Sequence, residues 1–395
     1  MVVGRGRRRY VEHRPHEASD DLERGVALCL SGGGYRAMLF HAGALWRLNE
    51  LGLLGTLARV SSVSGGAITG GMLGHAWPRL DFDERGVARA LERELVAPLR
   101  RLARATIDLW SGLLGLIPGV TAAGRLAAVY RRRLFGDASL ADLPGPGAPL
   151  FVLNAASLQT GALFQMSRAC IADHRIGESA ATAQVSLASA VAASSAFPPM
   201  LSPAIVRVPP DSWRPTPGAD LCRDAYRSRS VLTDGGIYDN LGLATAYHRY
   251  ATLLVSDAGA ALPVLASPAR NWLGQGLRVT ELLLEDTIDT RKQELIAAYD
   301  ARVRDGAYWS VRSDVADFAR KCPGLVALPF DPDAARALAA TPTRFKALPD
   351  ETQEQLIDWG YVICDAAIRG HYLEGSRASP PARTPYGTSV LRCAR

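Results

Sequence analysis

Three short stretches of this chain combine residue types that can hold an anion, attack a carbonyl and take up a proton. The first is Ser31-Gly32-Gly33-Gly34-Tyr35-Arg36, between an apolar run (Val26-Ala-Leu-Cys-Leu30) and a segment from Tyr35 to Leu51 with apolar residues at helical spacing. Consecutive glycines let the backbone turn sharply and present several N–H groups in one place. A helix that follows adds the positive end of its dipole. Such a loop cradles an anion, either a phosphate or the oxyanion of an acyl-transfer intermediate, and Arg36 adds a positive charge to the same region. A plain strand-to-helix turn would use the same glycines. A dinucleotide pattern, G-x-G-x-x-A, is also present in Gly32, Gly34 and Ala37. That site needs a carboxylate at the end of the second strand, and here the strand Val60-Ser-Ser-Val63 runs into Ser64.

The second stretch is Ser62-Val63-Ser64-Gly65-Gly66, which follows that strand and opens a small-residue helix. A nucleophile elbow has the pattern G-x-S-x-G, because the turn admits only small residues two positions either side of the nucleophile. Ser62 stands where the leading glycine is usual, and Gly66 supplies the trailing one. Ser61 and Ser62 also carry hydroxyls, but only Ser64 occupies the centre. Taken alone, small residues before a helix are ordinary caps. Two such turns on consecutive strands bring the glycine cradle toward Ser64.

A serine nucleophile needs a base. The seven histidines are His13, His16, His41, His75, His174, His248 and His371, and none stands in a loop with an evident catalytic context. Asp234-Gly235-Gly236 instead follows a strand, Ser230-Val-Leu-Thr233, directly. Its glycines allow the carboxylate to approach another backbone, although Asp-Gly is also a common turn. This carboxylate is expected at the same sheet edge as Ser64.

Strand, helix, strand, helix over the first 75 or so residues implies a parallel sheet with crossover helices. Residues 1–24 are expected to be a basic, disordered arm and 376–395 a polar tail, with one hydrolase domain at 25–375 between them. Within it, 78–148 reads as an inserted helical cap broken by Pro98, Pro118 and Pro144, and 259–375 as a C-terminal helical part. The net charge of +6 is carried by Arg, since Lys occurs only at Lys292, Lys321 and Lys346. It suits attraction to anionic headgroups as well as a bias of composition. Six scattered cysteines form no C-x-x-C pair, which points to free thiols in a reducing compartment and away from a zinc site. The start of the chain lacks the apolar core of a secretory signal, and no apolar run is long enough to span a bilayer. The expected location is cytoplasmic, with membrane association. Leu109, Trp110, Leu113, Leu114, Leu116 and Ile117, between arginine clusters, suit an interfacial segment or a buried wall of an acyl tunnel.

Taken in order, Ser31-Gly-Gly-Gly-Tyr-Arg36, Ser62-Val-Ser-Gly-Gly66 and Asp234-Gly-Gly236 resemble the signature of patatin-like phospholipases, a family that includes the catalytic domain of cytosolic phospholipase A2. Asn154-Ala-Ala-Ser-Leu-Gln-Thr-Gly161 and Ala193-Ser-Ser-Ala-Phe-Pro-Pro199 fit the same family. The resemblance spans roughly Val26 to Asp257. It implies an α/β fold, a three-layer α/β/α arrangement with a mainly parallel central sheet, an inserted helical cap and C-terminal helices. It implies a Ser64–Asp234 dyad without histidine, an oxyanion hole from the N–H groups of Gly32, Gly33 and Gly34, and support from Arg36, Gly65, Gly66 and Gly235. Arg36 would stabilise the cradle or the lipid phosphate. No metal or cofactor is called for. The implied partners are a phospholipid or lysophospholipid substrate and a peripheral membrane surface, with no nucleic acid; a protein activator is left open. Two further functions are a histidine-dependent α/β-hydrolase esterase with His371 as base, and a non-catalytic lipid-binding member of the family.

Overall fold

The computed structural model describes residues 22–107, 121–373 and 383–388. The interfacial segment at Leu109–Ile117, nearly all of the basic arm and most of the tail lie outside the described residues.

The first half of the chain supplies β1 (Glu23–Leu30), α1 (Gly34–Glu50), β2 (Leu57–Val63), α2 (Gly65–Ala76), α3 (Ala97–Ala103), α4 (Ala122–Tyr130), β3 (Leu150–Ser157), β4 (Leu163–Ser167), β5 (Ile171–Asp173) and β6 (Gly177–Ser179). The second half supplies α5 (Leu187–Ser194), β7 (Ala204–Val206), β8 (Trp213–Arg214), α6 (Asp224–Arg227), β9 (Ser230–Asp234), α7 (Gly236–Asp239), β10 (Tyr250–Asp257), α8 (Trp272–Asp300), β11 (Asp305–Ser310), α9 (Val315–Lys321), α10 (Pro332–Ala339) and α11 (Asp350–Ala367).

The strands form one sheet in the order β11-β10-β1-β2-β3-β4-β5-β6-β8, with β9 joined to β3 and β7. From β11 to β3 every pairing is parallel. Beyond β3 the sheet continues as antiparallel hairpins. β1 has parallel neighbours on both edges and its C-terminal half buries both faces, which is why Val26–Leu30 reads as an unbroken apolar run. Leu28 and Leu30 face the core formed with α1, α2 and α11, while Ala27 and Cys29 face Leu241, Ile288 and Leu295 on the other side. The alternation of one strand thus produces the helix–sheet–helix layering. No helix among the described residues is long and apolar enough to cross a membrane.

One expectation needs correction. The C-terminal part, read as helical, also contributes β11, which pairs in parallel with β10. Its run Asp-Gly-Ala-Tyr-Trp-Ser is short and sits directly after the long α8, so it carries little strand signal of its own. The direction of β9, which the sequence leaves open, is opposite to that of its neighbour β3. The C-terminal residue of β9 meets the end of β2 head-on.

Helix α11 packs along α1. A Cβ at Gly43 would overlap the Ile357 carbonyl, and one at Gly360 would overlap the Phe40 carbonyl, so both helices carry glycine where their backbones touch. Arg47 of α1 binds Asp365 of α11 at 2.8 Å, and Arg369 reaches the same buried carboxylate at 2.7 Å. Gly360→Ala should destabilise the protein by about 1–3 kcal/mol through overpacking. Thermal or urea unfolding reads this directly, and an unchanged midpoint would show that the contact yields freely.

Candidate active site

β3 is the element that brings the site together. Along one edge it pairs first with β2, ending at Val63 opposite Asn154, and then with β9, beginning at Asp234 opposite Ala155. The other edge is taken by β4 through the same residues. Ser64, one residue past Val63, therefore leaves the sheet just where β9 also ends, at Asp234.

Ser64 has φ 52° and ψ −119°, between the last residue of β2 and the first of α2. A side chain held in this region costs on the order of 1–3 kcal/mol, so its surroundings must enforce it. Gly66 permits the turn, because a Cβ there would stand 2.5 Å from the carbonyl oxygens of Leu30 and Ser31, and a Cβ at Gly65 would overlap the Gly34 carbonyl. Ser62, which replaces the usual glycine, is accommodated. Its hydroxyl donates to the Val152 carbonyl (3.2 Å) and lies where a Cβ on Gly70 would come within 2.7 Å. Ser61 is also committed elsewhere, donating to the Gly242 carbonyl at 2.6 Å. The Ser64 hydroxyl instead lies beside the Asp234 carboxyl, near enough to lower its pKa.

Asp234 is 2% exposed. Burial raises its pKa to about 6, against the opposing effects of the nearby Ser64 hydroxyl and of the hydrogen bond from the Gly236 N–H. The latter reaches Oδ1 at 2.8 Å. Gly235 carries no side chain because a Cβ would overlap the Asn154 carbonyl oxygen. Tyr130 of α4 is buried beside Asp234 and Ser195, with its phenol pushed well above the usual range by burial.

The glycine cradle abuts the serine. A Cβ on Gly32 would lie 3.2 Å from that of Ser64. Gly33 (φ 145°) and Gly34 (φ 60°) adopt conformations that favour glycine, and no side chain caps α1. The Gly32 N–H is already bonded to the Asn240 carbonyl at 3.1 Å. Gly32 is therefore not an oxyanion donor as expected from the sequence. The Gly33 and Gly34 N–H groups have no partner among the described residues, and they are the pair that can receive an anion.

Arg36 does not present a free charge to the cradle. Its guanidinium donates to the Ala258 carbonyl (2.9 Å), to Thr343 Oγ1 (3.0 Å) and to the Thr341 carbonyl. Burial lowers its pKa to about 10, which leaves it charged at neutral pH. It braces the cradle from behind. His41 does likewise: it is buried between Ser256 Oγ (2.8 Å) and the Ser31 carbonyl (2.9 Å), and burial lowers its pKa to about 4. A neutral His41 with its proton on Nε2 satisfies both partners. His371, the alternative base, packs against Phe318 and Cys322.

Sequence reasoning passed over Asn240 and Ser194. The Ser64 N–H donates to Ser194 Oγ at 2.9 Å. The Ala193–Pro199 segment was the available signal for Ser194, without a role attached to it.

The family model for patatin-like phospholipase matches residues 28–247, more than half of the chain, and includes both Ser64 and Asp234. The chain belongs to the patatin-like phospholipase family. Two structures of human GIVD cytosolic phospholipase A2 are similar to this patatin-like chain at 16% and 13% identity, each with TM-score 0.46 and 87% of this chain covered. The chain spans 58% and 61% of the length of those two structures. VipD from Legionella pneumophila is similar at 14% identity and TM-score 0.38, over 89% of this chain and 67% of that one. A comparison with curated proteins gave no match.

A buried carboxyl with a raised pKa makes the fold less stable once it ionises. The unfolded chain releases this proton near pH 4 and the folded chain near 6, so Asp234 lowers stability as pH rises across that window and the deficit persists above it. Asp234→Asn should raise stability at pH 8 by on the order of 2–3 kcal/mol and have little effect at pH 4. Unfolding curves at the two pH values test this; equal effects at both would contradict the raised pKa.

Proposed function

We propose that this chain hydrolyses lipid acyl esters, as a phospholipase A or lysophospholipase, with Ser64 as nucleophile and Asp234 as its base. Family membership supports lipid hydrolysis in general. The observation that carries the dyad is the β3 register, which sets Ser64 beside a buried carboxyl raised to about 6, since a general base works best with a pKa near the working pH.

The Asp234 carboxylate takes the hydroxyl proton as Ser64 Oγ bonds to the ester carbonyl carbon. The electron pair of the carbonyl moves onto oxygen, where the Gly33 and Gly34 N–H groups and the N-terminal end of α1 stabilise it. As the intermediate collapses, the alcohol leaves with the proton from Asp234 and the acyl group stays on Ser64. Water then attacks the acyl-enzyme with Asp234 again as base, releasing the fatty acid and restoring Ser64.

The first test is fatty-acid release from mixed phospholipid and lysophospholipid vesicles. Ser64→Ala and Asp234→Asn should each lower the rate by about 10³-fold or more while the protein stays folded. For the wild type, kcat/KM should fall about tenfold per pH unit below 6 as Asp234 protonates. Activity surviving in either variant would overturn the dyad.

The substrate is met at a bilayer surface. Trp272 is 84% exposed, and with Leu273, Leu277, Pro198 and Pro199 it lines an open groove of about 300 Å³. Pro198 lies two residues beyond Ala196, whose carbonyl receives the Asp234 N–H at 3.0 Å, so this apolar face adjoins the site. The net charge of +6 favours an anionic membrane. Replacing Trp272 and Leu273 together by serine should weaken binding to anionic phospholipid vesicles about tenfold or more, with hydrolysis of a soluble short-chain ester unaltered. Undiminished vesicle binding would remove this face from the reading.

A further inference from the structure

Two segments, Asn154–Gly161 and Ala193–Pro199, have no assigned part in the chemistry. The fold brings one residue from each to the elbow. Ser194, the last residue of α5, is fully buried. Its Oγ accepts the Ser64 N–H at 2.9 Å and donates its own proton to the Asn154 carbonyl at 2.6 Å. Its carbonyl accepts the N–H of Gly235, the residue after Asp234, at 3.2 Å. Asn154 completes the frame: its Nδ2 donates to the Ser62 carbonyl at 3.1 Å and to Ser61 Oγ at 2.9 Å.

The backbone of Ser64 explains why this contact is needed. β2 ends at Val63 and α2 begins at Gly65, so the N–H between them belongs to neither ladder. The conformation at φ 52° aims that N–H into the protein, where an unpaired donor is costly. Ser194 supplies the acceptor, and the Asn154 carbonyl fixes which way the hydroxyl proton points, leaving a lone pair for Ser64. The same residue holds the Asp234 loop through its carbonyl. We propose, on the basis of the hydrolase reading above, that Ser194 is a positioning residue: it locks Ser64 in the strained elbow and ties that lock to the loop of the base, so that Oγ and the carboxylate stay aligned. Ser195, its neighbour, makes the useful contrast. Its hydroxyl donates to the Val191 carbonyl within the same helix at 2.9 Å and leaves the elbow alone.

The experiment compares wild type with Ser194→Ala, Ser194→Thr and Ser195→Ala. It measures kcat and KM on p-nitrophenyl butyrate, the labelling rate with a fluorophosphonate, thermal unfolding, and amide hydrogen exchange at Ser64. In Ser194→Ala, kcat and labelling rate should fall about 10- to 100-fold with KM within about twofold, since small misplacement of a reacting group costs this much. The Ser64 amide should exchange faster in the same variant. Ser194→Thr should restore both readouts, and Ser195→Ala should resemble wild type. Should Ser194→Ala fail to fold, Ser194→Cys keeps the volume with a weaker acceptor and is judged by the same criteria. Unchanged kcat and unchanged Ser64 exchange would overturn the proposal, as would equal losses in the Ser194 and Ser195 variants. A wild type that neither hydrolyses nor labels would defeat the hydrolase reading instead, and exchange at Ser64 would still decide whether Ser194 holds the elbow.

Discussion

The edge of β3 is shared by two strands running in opposite directions, and the site depends on that division. β2 occupies the edge as far as Asn154 and β9 takes it from Ala155. A strand that simply continued would satisfy its ladder and leave no opening. Because β2 stops, its next residue must turn out of the sheet, and the residue that turns is Ser64. Because β9 arrives from the other direction, Asp234 lies opposite the next residue along β3. The pair is thus positioned by main-chain register, which is stiffer than side-chain packing.

That arrangement leaves costs that the surrounding residues offset. Ser64 sits in a disfavoured backbone region, and its N–H is met by Ser194. Asp234 is buried away from countercharge, which destabilises its ionised form and holds its pKa near 6. The same burial that makes the carboxyl a liability to stability gives it the pKa that a general base near neutral pH needs. Stability and reactivity are opposed at this one side chain.

The candidate residues could be picked out because each belongs to a local pattern: glycines after an apolar run, a serine between small residues, an aspartate before two glycines. Local pattern also conveys the layering, since β1 is apolar from Val26 to Leu30 and crossover helices follow it. What was not legible is what depends on pairing at a distance. The direction of β9 is set by β3, nearly 80 residues earlier in the chain, and nothing within Ser230–Asp234 records it. The loss of Gly32 as a donor comes from the Asn240 carbonyl, again remote in sequence. Arg36 illustrates the same limit: its charge is evident, but that it would be spent on the carbonyls of Ala258 and Thr341 is not.

Those last contacts extend the site beyond the region that defines the family. The matched residues end at 247, yet the cradle is braced by residues further along. The Ala258 N–H donates to Ser31 Oγ at 2.7 Å, the Tyr35 N–H donates to the Arg344 carbonyl at 3.3 Å, and a Cβ on Gly34 would stand 3.0 Å from the Arg344 backbone. Arg36 draws both the Ala258 turn and the 341–343 segment against the back of the glycine loop. α11 then presses on α1, the helix whose N-terminus faces Ser64. The family region carries Ser64 and Asp234, while the C-terminal third holds the glycine loop still enough for its two open N–H groups to keep a fixed direction. Glycine lets the cradle form, and it would also let the cradle wander; the rigidity has to come from elsewhere in the chain.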